Sequence, residues 1–259
     1  MKSFSLWLVV IPLVISAAIL VVLEIGWRIG RSRQRRDPNG VTAGTGAIDG
    51  AIFGLMGLLL AFTFSGAATR FDARRSLIVE EANAVGTAYL RLDLLPAEPQ
   101  MKLKEDFRQY LDSRLAIYRA LPDIELAKEE FQRSSAIQSR IWSRAVAATK
   151  EVGSPAVTSL ILSNLNDMID ITLTRMVATQ THPPVVIFVV LFVMVLGAGL
   201  LAGYNMSATS ARNWTYRVTF TALMALSLYL IFDLEFPRFG LVRADSFDQV
   251  LLDVRRSMK

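Results

Sequence analysis

Four stretches of the chain, 6–23, 50–69, 185–204 and 218–232, are apolar and carry no charge, and they are grouped two and two around a long polar middle. A hydrocarbon core of ~30 Å takes ~20 helical residues. The pattern therefore predicts a protein that crosses the membrane four times. The first stretch exceeds the apolar core of a secretory signal, and Trp27 with the arginines behind it forms a stop-transfer flank, so it is expected to be a retained span. The fourth is the shortest, only ~22 Å between Arg217 and Asp233 at 1.5 Å per residue. To cross, it must draw Trp214 and Tyr216 into one interface and Asp233, alone or with Glu235, into the other, before Pro237 and Gly240 stop the helix. A carboxylate at that depth has to face protein or water. Asp233 or Glu235 is accordingly expected to pair with Arg70 or Arg74 at the end of the second span.

The polar middle reads as helix throughout, with no strand-like alternation. Phe71, Ile78, Ala82, Val85, Tyr89, Leu92 and Leu95 fall at heptad-like steps, so the second span should run on into solvent as one rod until Pro96. Leu103, Phe107, Tyr110, Arg114 and Tyr118 mark a second helical face. Ile124, Phe131, Ile137, Ile141, Ala145 and Ala148 mark a third, and Val157, Ile161, Leu165, Met168, Thr172 and Met176 a fourth. Breaks at Pro122, at Gly153 to Pro155 and at His182 to Pro184 separate them. The expected fold is an all-α membrane protein: four transmembrane helices, two plus two, with an inserted extramembrane antiparallel helical bundle continuous with the second and third spans. Its expected divisions are 1–69 for the first transmembrane pair with an Arg-rich loop at 28–46, 70–182 for the bundle, 183–236 for the second pair and 237–259 for a polar tail.

Two spans carry stripes of small side chains. Gly46, Gly50, Gly54, Gly57, Ala61, Ser65 and Ala68 recur every three or four residues along the second, and Gly199 and Gly203 share a four-residue spacing in the third. Small residues let membrane helices approach closely where no hydrophobic force separates helix from lipid. Such a stripe can serve packing within one chain or between copies.

Composition sharpens this picture. Hydrophobic residues make up 53% of the chain while 20% are charged, which requires the charges to lie outside the spans. There is no cysteine, so disulfides, thiolate metal sites and cysteine nucleophiles are excluded. The formal net charge of +5 does not imply nucleic acid, because Arg28, Arg31, Arg33, Arg35 and Arg36 crowd directly behind the first span, where basic clusters set topology and meet anionic lipid. Counted in short flanks, these arginines place the loop at 28–46 in the cytoplasm and the amino terminus outside, although Arg70, Arg74, Arg75 and the tail arginines weigh on the other face. His182 is the only histidine and sits before two prolines as a boundary residue. No catalytic, cofactor or metal constellation is present: a metal or triad would need a second histidine or converging carboxylates, and Gly44 to Gly46 lacks the Lys-Ser/Thr ending of a phosphate loop. Asp167, Asp170 and Glu151 read as a solvated helix face. An enzyme is not expected.

Two runs carry a resemblance. GLLLAFTFSGAATRFDARRSLIVEEANAVGTAYLRLDLLP at 57–96 and DLEFPRFG at 233–240 are similar to the signature of the bestrophin-like family of bacterial membrane proteins, and with the two-and-two layout the likeness covers nearly the whole chain. It implies a multi-pass protein of the bacterial inner membrane. A link to bestrophins further implies a homo-oligomeric anion channel, a pentamer being one option for its copy number, whose second span lines the pore and continues into a long extramembrane stalk. Gly50, Gly54, Gly57, Phe62 and Phe64 are then the pore or packing candidates, with Phe53 and Phe71 also available to a hydrophobic constriction. The motif residues Arg70, Arg74, Arg75, Glu81, Asn83, Arg91, Asp233 and Arg238 become structural or pore-mouth polar groups. Bestrophins hold their large domain in the cytoplasm, the reverse of the orientation that the arginine count favours.

The expected partners are membrane lipids, further copies of the chain and inorganic anions, without nucleic acid or cofactor. The alternative to an anion channel is a membrane sensor or scaffold whose helical bundle binds a ligand or partner.

Overall fold

A chain of apolar runs and heptad-like polar segments, with prolines confined to their junctions, can satisfy its backbone inside and beside a bilayer only as helix. The computed structural model describes residues 4–36, 46–120, 123–208, 213–236, 241–242 and 248–258. Within them the order is α1 (Phe4–Arg36), α2 (Gly46–Arg91), a 3-10 turn (Leu92–Leu94), α3 (Ala97–Ala120), α4 (Ile124–Val152), α5 (Pro155–Gln180), α6 (Val185–Met206), α7 (Trp214–Glu235) and α8 (Asp248–Ser257). There is no strand among the described residues. The helices α1, α2, α6 and α7 each contain a stretch long and apolar enough to cross a membrane. The protein is an all-α integral membrane protein.

The chain divides into two compact units, one of residues 1–71 and 182–242, the other of 72–181 and 243–259. In the first, α1, α6, α7 and the first half of α2 enclose Ile19, Leu23, Leu191, Val195, Ala198 and Ile231. The α1–α6 contact is made by glycines: a methyl group at Gly203 would collide with the backbone of Leu23, and one at Gly26 with the backbone carbonyl of Leu200. The small residues of the third span thus pack inside the protomer. Those of the second do not: methyl groups at Gly46, Gly50, Gly54 and Gly57 would meet no atom within 4 Å among the described residues. The fourth span gains length from its flanks, since α7 takes in both Trp214 and Glu235 and its 22 residues reach ~33 Å.

In the second unit, the rest of α2 joins α3, α4, α5 and α8 around Ala82, Val85, Phe107, Leu111, Ile141 and Leu165. The turns between these helices follow from local chemistry. Asp123 caps α4 by accepting from the Leu126 N–H, Gly153 ends it at φ 68, and Ser154 followed by Pro155 starts α5. A polar tail was the expectation for 237–259, yet α8 lies there and packs its apolar side on this unit through buried Leu251, with Met258 just after the helix buried as well. Arg255 fixes it to α3, donating from Nε and Nη2 to Asp112 at 2.8 and 3.0 Å.

Candidate functional site

In the first unit three span ends meet, the exit of α2, the start of α6 and the exit of α7. Glu235 is fully buried there. Arg70 grips its carboxylate from Nε at 3.0 Å and Nη2 at 2.9 Å, and His182 Nδ1 lies 2.9 Å from its other oxygen. The His182 ring stacks on Phe236 at 4.7 Å, and Phe236 packs in turn on Phe232. The carboxylate expected to need an arginine is thus Glu235, and the arginine is Arg70. Asp233, also buried, takes a different partner: its Oδ2 accepts the backbone N–H groups of Leu241 and Val242 at 3.0 and 2.9 Å, holding those two residues against the end of α7. His182, which sequence alone marks only as a boundary residue, is part of this cluster.

A groove of about 290 Å³ opens beside it, between α2, the start of α6 and α7. Phe62, 66% exposed, stands at its wall. Phe64 lies on a different side of α2 and is exposed elsewhere, while Phe53 is packed against the core. At ~100° per residue, Gly50, Gly54 and Gly57 fall on the face of α2 opposite the groove, with Phe64 near them. The pore or packing candidates therefore divide between two faces.

At the other end of this unit Arg217, almost fully buried, donates to Glu24 at 2.8 Å, and Glu24 also accepts from Arg28. The Trp27 and Trp214 rings flank the guanidinium, each 5.7 Å from it. This cluster balances a charge that the short fourth span would otherwise carry into the bilayer.

The remaining motif residues lie in the second unit. Glu81, fully buried on α2, receives Arg114 of α3 at 2.7 Å and Arg175 of α5, both buried. The Tyr118 ring covers Arg175 at 4.6 Å, and its hydroxyl accepts from Arg114 at 3.0 Å. Burial opposes ionisation of Glu81, but the two guanidiniums outweigh it and hold the carboxyl below its usual range. Next to this cluster the Tyr110 hydroxyl is 2.9 Å from that of Thr172, and Gln138 donates to both. Burial pushes Tyr110 up to about 12, so it stays protonated. Arg74 donates to the carbonyls of Ala178 and Thr181 at 3.0 and 2.9 Å, closing the end of α5. Arg75 pairs with Asp72 at 3.0 Å. Asn83 and Arg91 are exposed on α2. Arg238 lies outside the described residues.

Glu81 was legible as a motif residue, but its partners were not, since they lie far along the chain; the one hint was Arg114 sitting on the apolar face of α3. No group of three or more acidic or histidine side chains that could hold a metal occurs among the described residues.

One unit with four candidate spans and a second with a buried ion-pair core define a class of all-helical membrane protein. The profile of the Bestrophin-like domain matches residues 13–244, and the chain belongs to that family. Among solved structures, a point variant of a bacterial bestrophin homologue from Klebsiella pneumoniae superposes with a TM-score of 0.66 at 18% identity, over 94% of this chain and 97% of that one. A second variant of a bacterial bestrophin homologue from the same organism gives 0.65 at 17%, covering 92% and 98%. These likenesses establish a shared fold. Comparison with curated proteins finds no match.

Proposed function

We propose that the protein assembles as a homo-oligomeric ion channel of bestrophin type in the bacterial inner membrane, with α2 facing the ion path and inorganic anions as the permeant class. The observation that carries this reading is the uncovered state of α2. Among the described residues only 6% of its most apolar stretch is buried, against 33% for α7, and its glycines at 46, 50, 54 and 57 have no neighbouring atom within 4 Å of an added methyl. A face of glycines has little to gain from lipid, which packs as well on leucine; it gains from a second helix backbone. One subunit of four spans has no room for a hydrated path, whereas several copies approaching through α2 can enclose one. The exposed Phe64 beside the stripe would supply a hydrophobic constriction of the kind that gates by dewetting. The fold shared with bacterial bestrophin homologues supports the same reading. Arg70 and Arg75 each hold a carboxylate, so attraction of anions would fall to other cations such as the exposed Arg91.

The test is reconstitution of the purified chain into liposomes with an anion-flux assay, together with native mass analysis. The wild type is expected to be oligomeric and to pass anions, and Gly54→Ile to lose both properties. Monomers in native lipid, or oligomers without flux under varied voltage, pH and calcium, would overturn the channel in favour of a sensor or scaffold.

A further inference from the structure

We propose that the groove beside Arg70 is a phospholipid site that takes one acyl chain along its wall and a phosphate oxygen on the free end of the Arg70 guanidinium. Leu59, Phe62, Ile187, Phe188 and Ile231 supply the wall, which is almost wholly apolar. Arg70 closes one end. Its Nε and Nη2 are committed to Glu235, but Nη1 has no partner among the described residues and points back over Gly66, 3.2 Å from where a Cβ would stand. Any side chain at 66 would crowd that nitrogen, and glycine leaves it open to the groove.

The dimensions fit one leaflet. From Leu59 to Arg70 the helix rises ~16 Å, about half of a ~30 Å hydrocarbon core. Arg70 follows the last apolar residues of the span, which sets its free nitrogen at headgroup depth, where a guanidinium is well matched to phosphate. The groove face lies opposite the glycine stripe of α2, so copies approaching through that stripe leave the groove to lipid. The proposal rests on the membrane placement of α2, α6 and α7 and not on conduction; a protein that binds lipid and passes no current would leave it standing.

The experiment is native mass spectrometry of the delipidated full chain in detergent, with phosphatidylglycerol, diacylglycerol of the same chains, or inorganic phosphate added back. One phosphatidylglycerol per protomer is expected to be retained, at least tenfold more readily than diacylglycerol, and millimolar inorganic phosphate should not displace it. Gly66→Leu and Ile187→Trp should each cut retention tenfold or more, while Leu223→Trp, on an exposed part of α7, should not. Equal retention of diacylglycerol would remove the headgroup contact, and displacement by phosphate would make this a free-anion site. Lipid retained unchanged by both groove variants, or oligomers lost from them without any lipid bound, would also overturn the proposal, the latter in favour of a second copy in the groove. The comparison of the two lipids needs no variant and stands even if one fails to fold.

Discussion

Glu81 holds two arginines from two other helices in a place that water does not reach. An arrangement of this kind is strong only while complete, because removing the carboxylate leaves two buried guanidiniums without their counter-charge. Glu81→Ala is therefore expected to cost about 3–5 kcal/mol, the usual loss on breaking a buried pair, seen as a lowered melting midpoint of the detergent-solubilised chain by circular dichroism. Melting together with the wild type would contradict the assignment. The same group sets a pH dependence. Its folded pKa lies below the ordinary value of 4.5, so its contribution is complete above 4.5 and is lost as pH falls through the depressed folded value. Glu81→Gln should flatten that acid limb of the stability profile. None of this was legible locally: Glu81 is 33 residues from Arg114 and 94 from Arg175, and only the fold brings them together. The Glu235–Arg70 pair was legible, because a carboxylate at the end of a short span has few ways to be satisfied and the two span ends must share a face of the membrane.

Among the elements, the contrast between α6 and α2 carries the most consequence. Both have glycines at four-residue spacing, and the sequence could not say which stripe packs within the chain. The deciding residues are Gly26 and Gly30 on α1, which bring that helix onto Leu200 and Tyr204 of α6 and onto Ser207 just after it; their four-residue spacing was the available signal. Gly203→Ala must push a methyl group into the backbone of Leu23, and backbone cannot swing aside as a side chain can. It is expected to destabilise by about 1–3 kcal/mol or more and to lower the yield of monodisperse protein in size-exclusion chromatography. Gly54→Ala meets open space and should leave the fold intact; equal losses from both would contradict the packing described. The spans and the α2 rod were legible from apolar runs and heptad-like steps. Helix α8 was not, since ten residues with three charged side chains in the last turns read as polar tail, although Val250, Leu251 and Val254 recur at helical spacing and turn toward the second unit.

For the molecule as a whole, the composition and four uncharged runs sufficed to place the chain in a membrane, and two motif runs sufficed for its family. Orientation was not legible in the same way, because arginines flank the spans on both faces in nearly equal number. The stripe on α2 was visible, but that its glycines meet no atom among the described residues emerged only once α1 and α6 were seen to consume each other's glycines. The central claim is that this uncovered face of α2 borders an ion path between copies. The chain has no cysteine, so a single thiol can be placed there without interference. The direct measurement is anion flux through liposomes containing the Phe64→Cys protein, the exposed position beside the stripe, before and after a bulky thiol reagent and again after reduction. The reagent should block flux and reduction should restore it, with Leu223→Cys, at an exposed position of α7, unaffected. Flux that survives modification of residue 64, or the absence of flux from intact oligomers, would contradict the claim.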